Sequence, residues 1–385
     1  MLYRREHLQR VRDLLRRHPV VAILGARQVG KSTLASQVAR DFRGPIHRFD
    51  LEHPEDLRRL RDPSLVLEPL RGLVVLDEIH RLPDIFPLLR VLADRPRAPA
   101  RFLVLGSASL DLLRQASESL AGRIAFHDLA GFNLSETGPE KLKKLWFRGG
   151  FPRSFTARND AESWEWRSGF VRTFLDRDMP QFGVRIPAPV MGRFWAMLAH
   201  VHGCEWNASD LASSFGVAHT TIRHYLDFLT ATFMIRQLRP WHENLKKRQV
   251  RTPKIYFADS GMLHYQLDIR EPENLLTHPK AGLSWEGFAL GEIVARLGAE
   301  PHACWFWATH NRAELDLLVT RGQKRFGYEF KLTRAPVMTK SMHVSMADLK
   351  LDSLDVIHAG DKTWPMAPRV RAVALSRLLQ DIRPL

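Results

Sequence analysis

Cysteine is scarce: only Cys204 and Cys304 occur in a chain of 385 residues. Two isolated thiols cannot build a disulfide framework, which points to a reducing, cytoplasmic setting. Long hydrophobic runs are also missing. Charges or prolines interrupt every candidate before it reaches the length of a membrane span, so no membrane partner is expected. The opening residues, Met1-Leu-Tyr-Arg-Arg-Glu-His, lack the apolar core of a secretory signal and read instead as an amphipathic helix packed on the domain that follows. The seventeen histidines show no metal-ligand spacing; His302 and Cys304 are near neighbours, and a core or surface role suits them better than a metal. Acidic charge is in deficit. Against 57 Lys and Arg stand 42 Asp and Glu, a net charge of +15 with a pI near 10.2. Such a surface attracts polyanions, nucleic acid above all, although a compositional habit of the source genome would leave the same excess. Hydrophobic content of 45% fits a soluble globular chain, and the length predicts two to four domains.

What is present begins with Val20-Val-Ala-Ile-Leu-Gly25-Ala26-Arg27-Gln28-Val29-Gly30-Lys31-Ser32-Thr33, a glycine-rich loop between an apolar strand and a helix. Gly25 is expected to let the chain turn sharply after the strand, and Gly30 to let the backbone approach a ligand. The loop amides then point at a β-phosphate where the helix begins. Lys31 would lie between the β- and γ-phosphates and the Ser32 hydroxyl would ligate Mg²⁺, so ATP and Mg²⁺ are the expected cofactors. A second run, Gly72-Leu-Val-Val-Leu-Asp77-Glu78-Ile-His, reads as a buried parallel strand delivering two acids to its C-terminal edge. Asp77 would hold the Mg²⁺ shell, and Glu78 would orient and deprotonate the attacking water. Together these residues define an ATP hydrolase.

Further strands are expected at Ile46–Asp50 and from Arg101 to a polar tip at Ser107, which would sense the γ-phosphate or cap the next helix. Arg123 opens a last strand at the domain edge, where it would enter a neighbouring subunit's site as a trans-acting finger or form a surface salt bridge. The glycines of Trp146-Phe-Arg-Gly149-Gly150-Phe-Pro152 either line an adenine pocket or reverse the chain, and Phe170 to Gln181 reads as an amphipathic helix ended by Pro180. Ser209 to Leu229 reads as a helix-turn-helix with Leu211, Ala212, Val217, Ile222 and Leu226 as its buried seam. His219, Thr220, Thr221, Arg223 and His224 would face a DNA groove or phosphates. Two strands flank the basic segment with Lys246, Lys247 and Arg248, as a wing would; winged modules of this kind also serve as protein contacts.

After a loop from Arg270 to Pro279, an amphipathic helix bearing Glu286 and three strands are expected. Alternation places Glu329 and Lys331 on one face, and the preceding strand can bring Asp316 beside them. Asp316 and Glu329 could then bind a metal and, with Lys331, activate water against a phosphodiester, with Glu286 in support. A charged exposed sheet face is the other reading.

The ordered set of Gly25 to Ser32, Leu76-Asp-Glu-Ile, Leu105-Gly-Ser, Leu120-Ala-Gly-Arg123, Arg148-Gly-Gly-Phe-Pro, Arg177-Asp178, Pro253-Lys-Ile-Tyr-Phe-Ala-Asp-Ser-Gly, Glu314-Leu-Asp316 and Glu329-Phe-Lys331 resembles the prokaryotic AAA-type ATPases that append a winged helix and a restriction-endonuclease-like domain of the PD-(D/E)xK type. The resemblance implies an α/β chain: a P-loop AAA-type parallel-sheet domain at 1–132, a helical connector at 133–190, a winged helix-turn-helix at 191–270 and a nuclease-like domain at 280–385. It further implies ATP binding and hydrolysis, assembly into a ring or partial ring, a homo-oligomeric hexamer among the options, and action on DNA. Remodelling, branch migration or repair, ATP-gated DNA cutting, and ATP-switched DNA binding all stay open.

Overall fold

The computed structural model describes residues 2–96, 100–106, 118–182, 186–243, 250–310 and 313–385. The chain divides into two compact units, residues 1–131 with 231–233, and residues 132–230 with 234–385. Among the described residues no helix is long and apolar enough to cross a membrane.

In the first unit, five short strands form an entirely parallel sheet: β1 (Val20–Leu24), β2 (Ile46–Asp50), β3 (Leu73–Asp77), β4 (Arg101–Gly106) and β5 (Ile124–Asp128), in the order β2-β3-β4-β1-β5. β1 is buried at every position, as expected of a parallel strand covered on both faces. One sheet face gathers Val20, Ala22 and Leu24 with Val74, Leu76, Phe102 and Val104. The helix Phe86–Ala93 covers it through Phe86, Leu89 and Leu92. The amphipathic helix Arg5–Arg17 buries Leu8, Val11, Leu14 and Leu15. Just before it, the Arg4 guanidinium donates to the carbonyls of Val29, Ala130 and Gly131, so the phosphate loop is tied to the segment after β5.

The second unit carries a nine-stranded mixed sheet. Its strands are β6 (Cys204–Glu205), β7 (Ile235–Pro240), β8 (Lys254–Phe257), β9 (Cys304–Ala308), β10 (Glu314–Arg321), β11 (Lys324–Lys331), β12 (Ser353–His358), β13 (Trp364–Ala367) and β14 (Val370–Ala374). Their order is β13-β14-β12-β11-β10-β9-β7-β8-β6. β7 pairs with β8 as an antiparallel hairpin and with β9 in parallel. The hairpin and the C-terminal strands therefore share one sheet.

Several local expectations change. The helix Ala281–Leu297 is buried around most of its circumference, at Trp285, Phe288, Leu290 and Ile293 but also at Glu286 and Glu292, because it is packed on more than one side rather than lying on the surface. The 270–279 segment contains a short helix, Pro272–Thr277, with proline in its first turn where no N–H is needed. Pro180 does not end its helix. A π turn, Phe174–Asp178, interrupts the ladder after Asp160–Thr173, and helix continues over Met179–Gln181; the missing proline N–H falls where the bonding register has already slipped. Val217 is exposed: it sits on the turn after Gly216, outside the seam of Leu211, Ala212, Ile222 and Leu226, which are buried.

Candidate functional site

In the first unit the site grows from the end of β1. The glycine roles differ from expectation. A Cβ on Gly25 would lie 2.3 Å from the Leu129 carbonyl oxygen, so Gly25 permits close approach of the segment after β5. Gly30, at φ +102°, is the position that needs left-handed backbone. Gln28 also has φ +61°, so the loop curls through two such residues before the helix Lys31–Arg40. The Lys31 ammonium is buried and donates to the carbonyls of Gly25 and Ala26 at 3.0 Å each. Ala26 and Val29 are buried, Thr33 is half-buried and Ser32 is exposed.

β3 reaches the same sheet edge, because β4 lies between it and β1 with Leu76 beside Val104 and Leu24 beside Gly106. Asp77 and Glu78 are both half-buried there. Burial pushes the Asp77 carboxyl above its usual range and Glu78 adds to this, while a hydrogen bond from Ser32 pulls the other way. That Ser32–Asp77 contact matters for Mg²⁺. A hydroxyl and a carboxylate from two separate elements present adjacent hard oxygens, the donor type this cation takes. Glu78 has φ +53°, uncommon for a non-glycine residue and the kind of backbone strain found where a side chain must be aimed. Burial pushes its carboxyl up, but His80, Lys31 and Arg27 outweigh burial and leave it below its ordinary value. His80 Nδ1 stands 3.2 Å from Glu78 Oε2. Arg27 in turn pairs with Glu52 at 2.9 Å. His80 was missed in the sequence, although its place two residues beyond Glu78 was a usable signal.

Arg123 lies elsewhere. Its carbonyl accepts from the Val20 amide, at the start of β1, so the five residues of the strand separate it from Gly25 by about 15 Å. The guanidinium pairs with Asp94 at 2.6 Å on the surface. Ser107 lies outside the described residues.

The second unit brings Glu286, Asp316, Glu329 and Lys331 together. Lys331 Nζ is 2.9 Å from Glu329 Oε2 and 3.8 Å from Asp316 Oδ2, and Asp316 Oδ2 also accepts from the Phe330 amide at 2.9 Å. A second lysine, Lys254 on β8, was not anticipated. It contacts Glu314, Glu286 at 3.5 Å and Asp316 at 3.9 Å. The Tyr256 hydroxyl donates to Glu286 at 2.6 Å. Burial, reinforced by Asp316, pushes Glu286 up to about 7 and raises Glu329 well above the usual carboxylate range. Glu329 Oε1 is buried with no hydrogen-bond partner. The oxygen donors are of the type Mg²⁺ or Mn²⁺ takes. Yet among the described residues no group of three or more His, Cys, Asp or Glu could hold a metal ion as arranged, and the ammonium groups of Lys254 and Lys331 lie against the carboxylates. Lys254 was detectable as a charge inside an apolar run, Pro253-Lys-Ile-Tyr-Phe.

The helices Ala208–Phe215 and His219–Ala231 leave Thr220, Arg223 and His224 exposed and Thr221 half-buried. Lys246, Lys247 and Arg248 lie outside the described residues. Gly149 and Gly150 meet Asp259: the Gly150 amide donates to Asp259 Oδ2 at 2.6 Å, and Asp259 also caps the helix Ser260–Gln266 through Met262.

A phosphate loop on a parallel sheet with Asp77 and Glu78 at the same edge defines a P-loop ATPase. Residues 17–138 match the AAA domain family; residues 139–273 and 281–378 match two domains of unknown function, DUF8612 and DUF4143. The uncharacterized proteins Rv2008c of Mycobacterium tuberculosis and Mb2031c of Mycobacterium bovis are each 46% identical to this chain over 379 residues, 98% of it and 85% of their own length. The chain belongs to the family of AAA-domain proteins that includes these two. The Walker-type ATPase PABY2304 of Pyrococcus abyssi is similar in fold, with a TM-score of 0.50 at 15% identity over 69% of this chain and 96% of that one.

Proposed function

We propose that the protein is a Mg²⁺-dependent ATP hydrolase that acts with DNA as a homo-oligomer. The observation that carries this reading is the meeting of Lys31, Ser32, Asp77 and Glu78 at one edge of a parallel sheet. Lys31 and the loop amides would hold the phosphates, and Ser32 with Asp77 would hold Mg²⁺, which supplies charge neutralisation across the phosphates. Glu78 is held ionised by the cations beside it, the state a general base needs. Arg123 sits too far from its own loop to serve it and forms the surface salt bridge with Asp94; a role in a neighbouring subunit's site, and with it a ring, rests on the family resemblance. The exposed Thr220, Arg223 and His224, with the net charge of +15, support a DNA contact.

Steady-state ATP turnover with and without single-stranded, duplex and branched DNA tests this. Turnover stimulated by one of these substrates is expected. Turnover indifferent to all of them would leave an ATPase without the DNA role, and footprinting at one sequence without stimulation would indicate a nucleotide-switched regulator. The convergence of Glu286, Asp316, Glu329 and Lys331 favours a second reading, a metal-dependent phosphodiester-cutting site in the C-terminal segment. Running the same DNA on a denaturing gel reads that activity, which Asp316→Ala should abolish.

A further inference from the structure

The phosphate loop is gripped at both ends. At its start, Lys31 Nζ donates to the Gly25 and Ala26 carbonyls, and Gly25 lies against the Leu129 carbonyl. At its end, the buried Arg4 guanidinium donates through Nη1 to the Val29 carbonyl at 3.3 Å, and through Nη2 to the carbonyls of Ala130 at 3.0 Å and Gly131 at 3.1 Å. Arg4 is thus a fork with one prong on the loop and the other on the segment after β5, a reach that a single ammonium group does not copy. Its orientation is itself fixed. Nη2 lies 3.4 Å from His7 Nε2, and His7 Nδ1 lies 2.9 Å from His127 Nε2 on β5. A guanidinium can only donate, so His7 Nε2 accepts, and the Nδ1–H of His7 donates to His127. Burial, with Arg4 among the charges that add to it, pushes both imidazoles down to about 3 and keeps them neutral, as this chain of acceptors requires.

We propose that Arg4 is a positioning residue for nucleotide binding: it sets the Val29–Gly30 peptide so that the Gly30 amide is already aimed for a phosphate. This deepens the ATP-hydrolase reading above and rests on it. In a trans peptide the C=O and N–H point in opposite directions. Holding the Val29 oxygen toward Arg4 therefore turns the Gly30 N–H to the other side of the loop, where it meets no acceptor among the described residues. Gln28 at φ +61° and Gly30 at φ +102°, on either side of Val29, give the alternating backbone of an anion-binding nest. A non-glycine residue such as Gln28 holds that conformation only where its surroundings impose it. Lys31 grips the other end of the loop and is itself assigned to the phosphates. Arg4 is engaged with carbonyls on two segments, and it acts on the nucleotide through the peptide it holds.

The test compares full-length parent, Arg4→Gln, Arg4→Lys and Leu8→Ala in three measurements: the thermal midpoint, amide hydrogen exchange of the loop peptide without nucleotide, and steady-state KM and kcat for ATP. Leu8→Ala is the structural control, since it removes buried contact from the helix Arg5–Arg17 without touching the loop. Arg4→Gln should speed exchange over residues 26–31 and raise KM about tenfold, the loss expected for one hydrogen bond from a charged group. Its kcat at saturation should stay within about twofold of the parent, because bound phosphates then order the loop and the deficit is one of binding. Arg4→Lys keeps the charge but not the fork, so its KM should remain raised; it also serves if Arg4→Gln does not fold. Leu8→Ala should lower the midpoint and leave KM like the parent's. Parent-like KM and loop exchange in a folded Arg4→Gln, full restoration by Arg4→Lys, or an equal rise of KM in Leu8→Ala overturns the proposal. A parent that turns over no ATP would strike the ATP-hydrolase reading instead, and loop exchange alone would then decide whether Arg4 holds the peptide.

Discussion

Glu292 offers a pH test whose size follows from its surroundings. It lies inside the helix Ala281–Leu297, buried, and its Oε2 accepts from the Leu134 amide at 2.8 Å. Burial pushes its carboxyl from 4.5 up to about 8; the Leu134 amide opposes this and Glu136 adds to it. A carboxyl raised on folding contributes stability that is fully present below pH 4.5 and lost as the pH rises through 8. A displacement of that size amounts to about 5 kcal/mol at most, and about 3 to 4 kcal/mol of it falls between pH 5 and pH 8. Glu292→Gln keeps an oxygen for Leu134 but cannot ionise. Buried histidines such as His202 and His264, both pushed down to about 3 by burial, are common to the two proteins, so the difference between them isolates Glu292. Denaturant unfolding of both across this range should give nearly equal stabilities at pH 5 and a more stable variant at pH 8. Parallel curves would refute the reasoning.

Arg123→Ala should bind ATP normally and hydrolyse it more slowly by ~10³ or more, with turnover partly restored on mixing with Lys31→Ala subunits; a mixture that stays inactive although mixed oligomers form by mass measurement rules out the trans role. Gly149→Ala should lower the thermal midpoint by several degrees, because the residue has φ +75° and an added Cβ would lie 2.1 Å from Asp259 Oδ1; an unchanged midpoint would show that the turn relaxes freely.

The nucleotide-binding half was the more legible in sequence. β1, the loop and the helix Lys31–Arg40 are consecutive, so apolar runs, glycines and Lys31 report on each other over about a dozen residues. The alternation of Glu329 and Lys331 on β11 is equally local. Lys254 was not legible as a partner of Asp316, since nothing in β8 indicates which distant strand it will face; only a lone charge among buried residues hinted at it. The helix Ala281–Leu297 looked amphipathic because Glu286 and Glu292 mimic a polar face. Each is instead buried against a specific donor, Tyr256 or the Leu134 amide. The shared sheet was hidden for the same reason, as β7 and β9 are separated by more than sixty residues of chain.

The central claim is tested most directly by separating nucleotide binding from turnover at the β1 and β3 edges. Fluorescent-nucleotide titration and phosphate release should be measured on the parent, Lys31→Ala and Glu78→Gln. The account predicts that Lys31→Ala loses nearly all binding, because the residue meets phosphates in the ground state, whereas Glu78→Gln binds like the parent and releases almost no phosphate. Parent-like phosphate release by Glu78→Gln, or parent-like binding by Lys31→Ala, would contradict it.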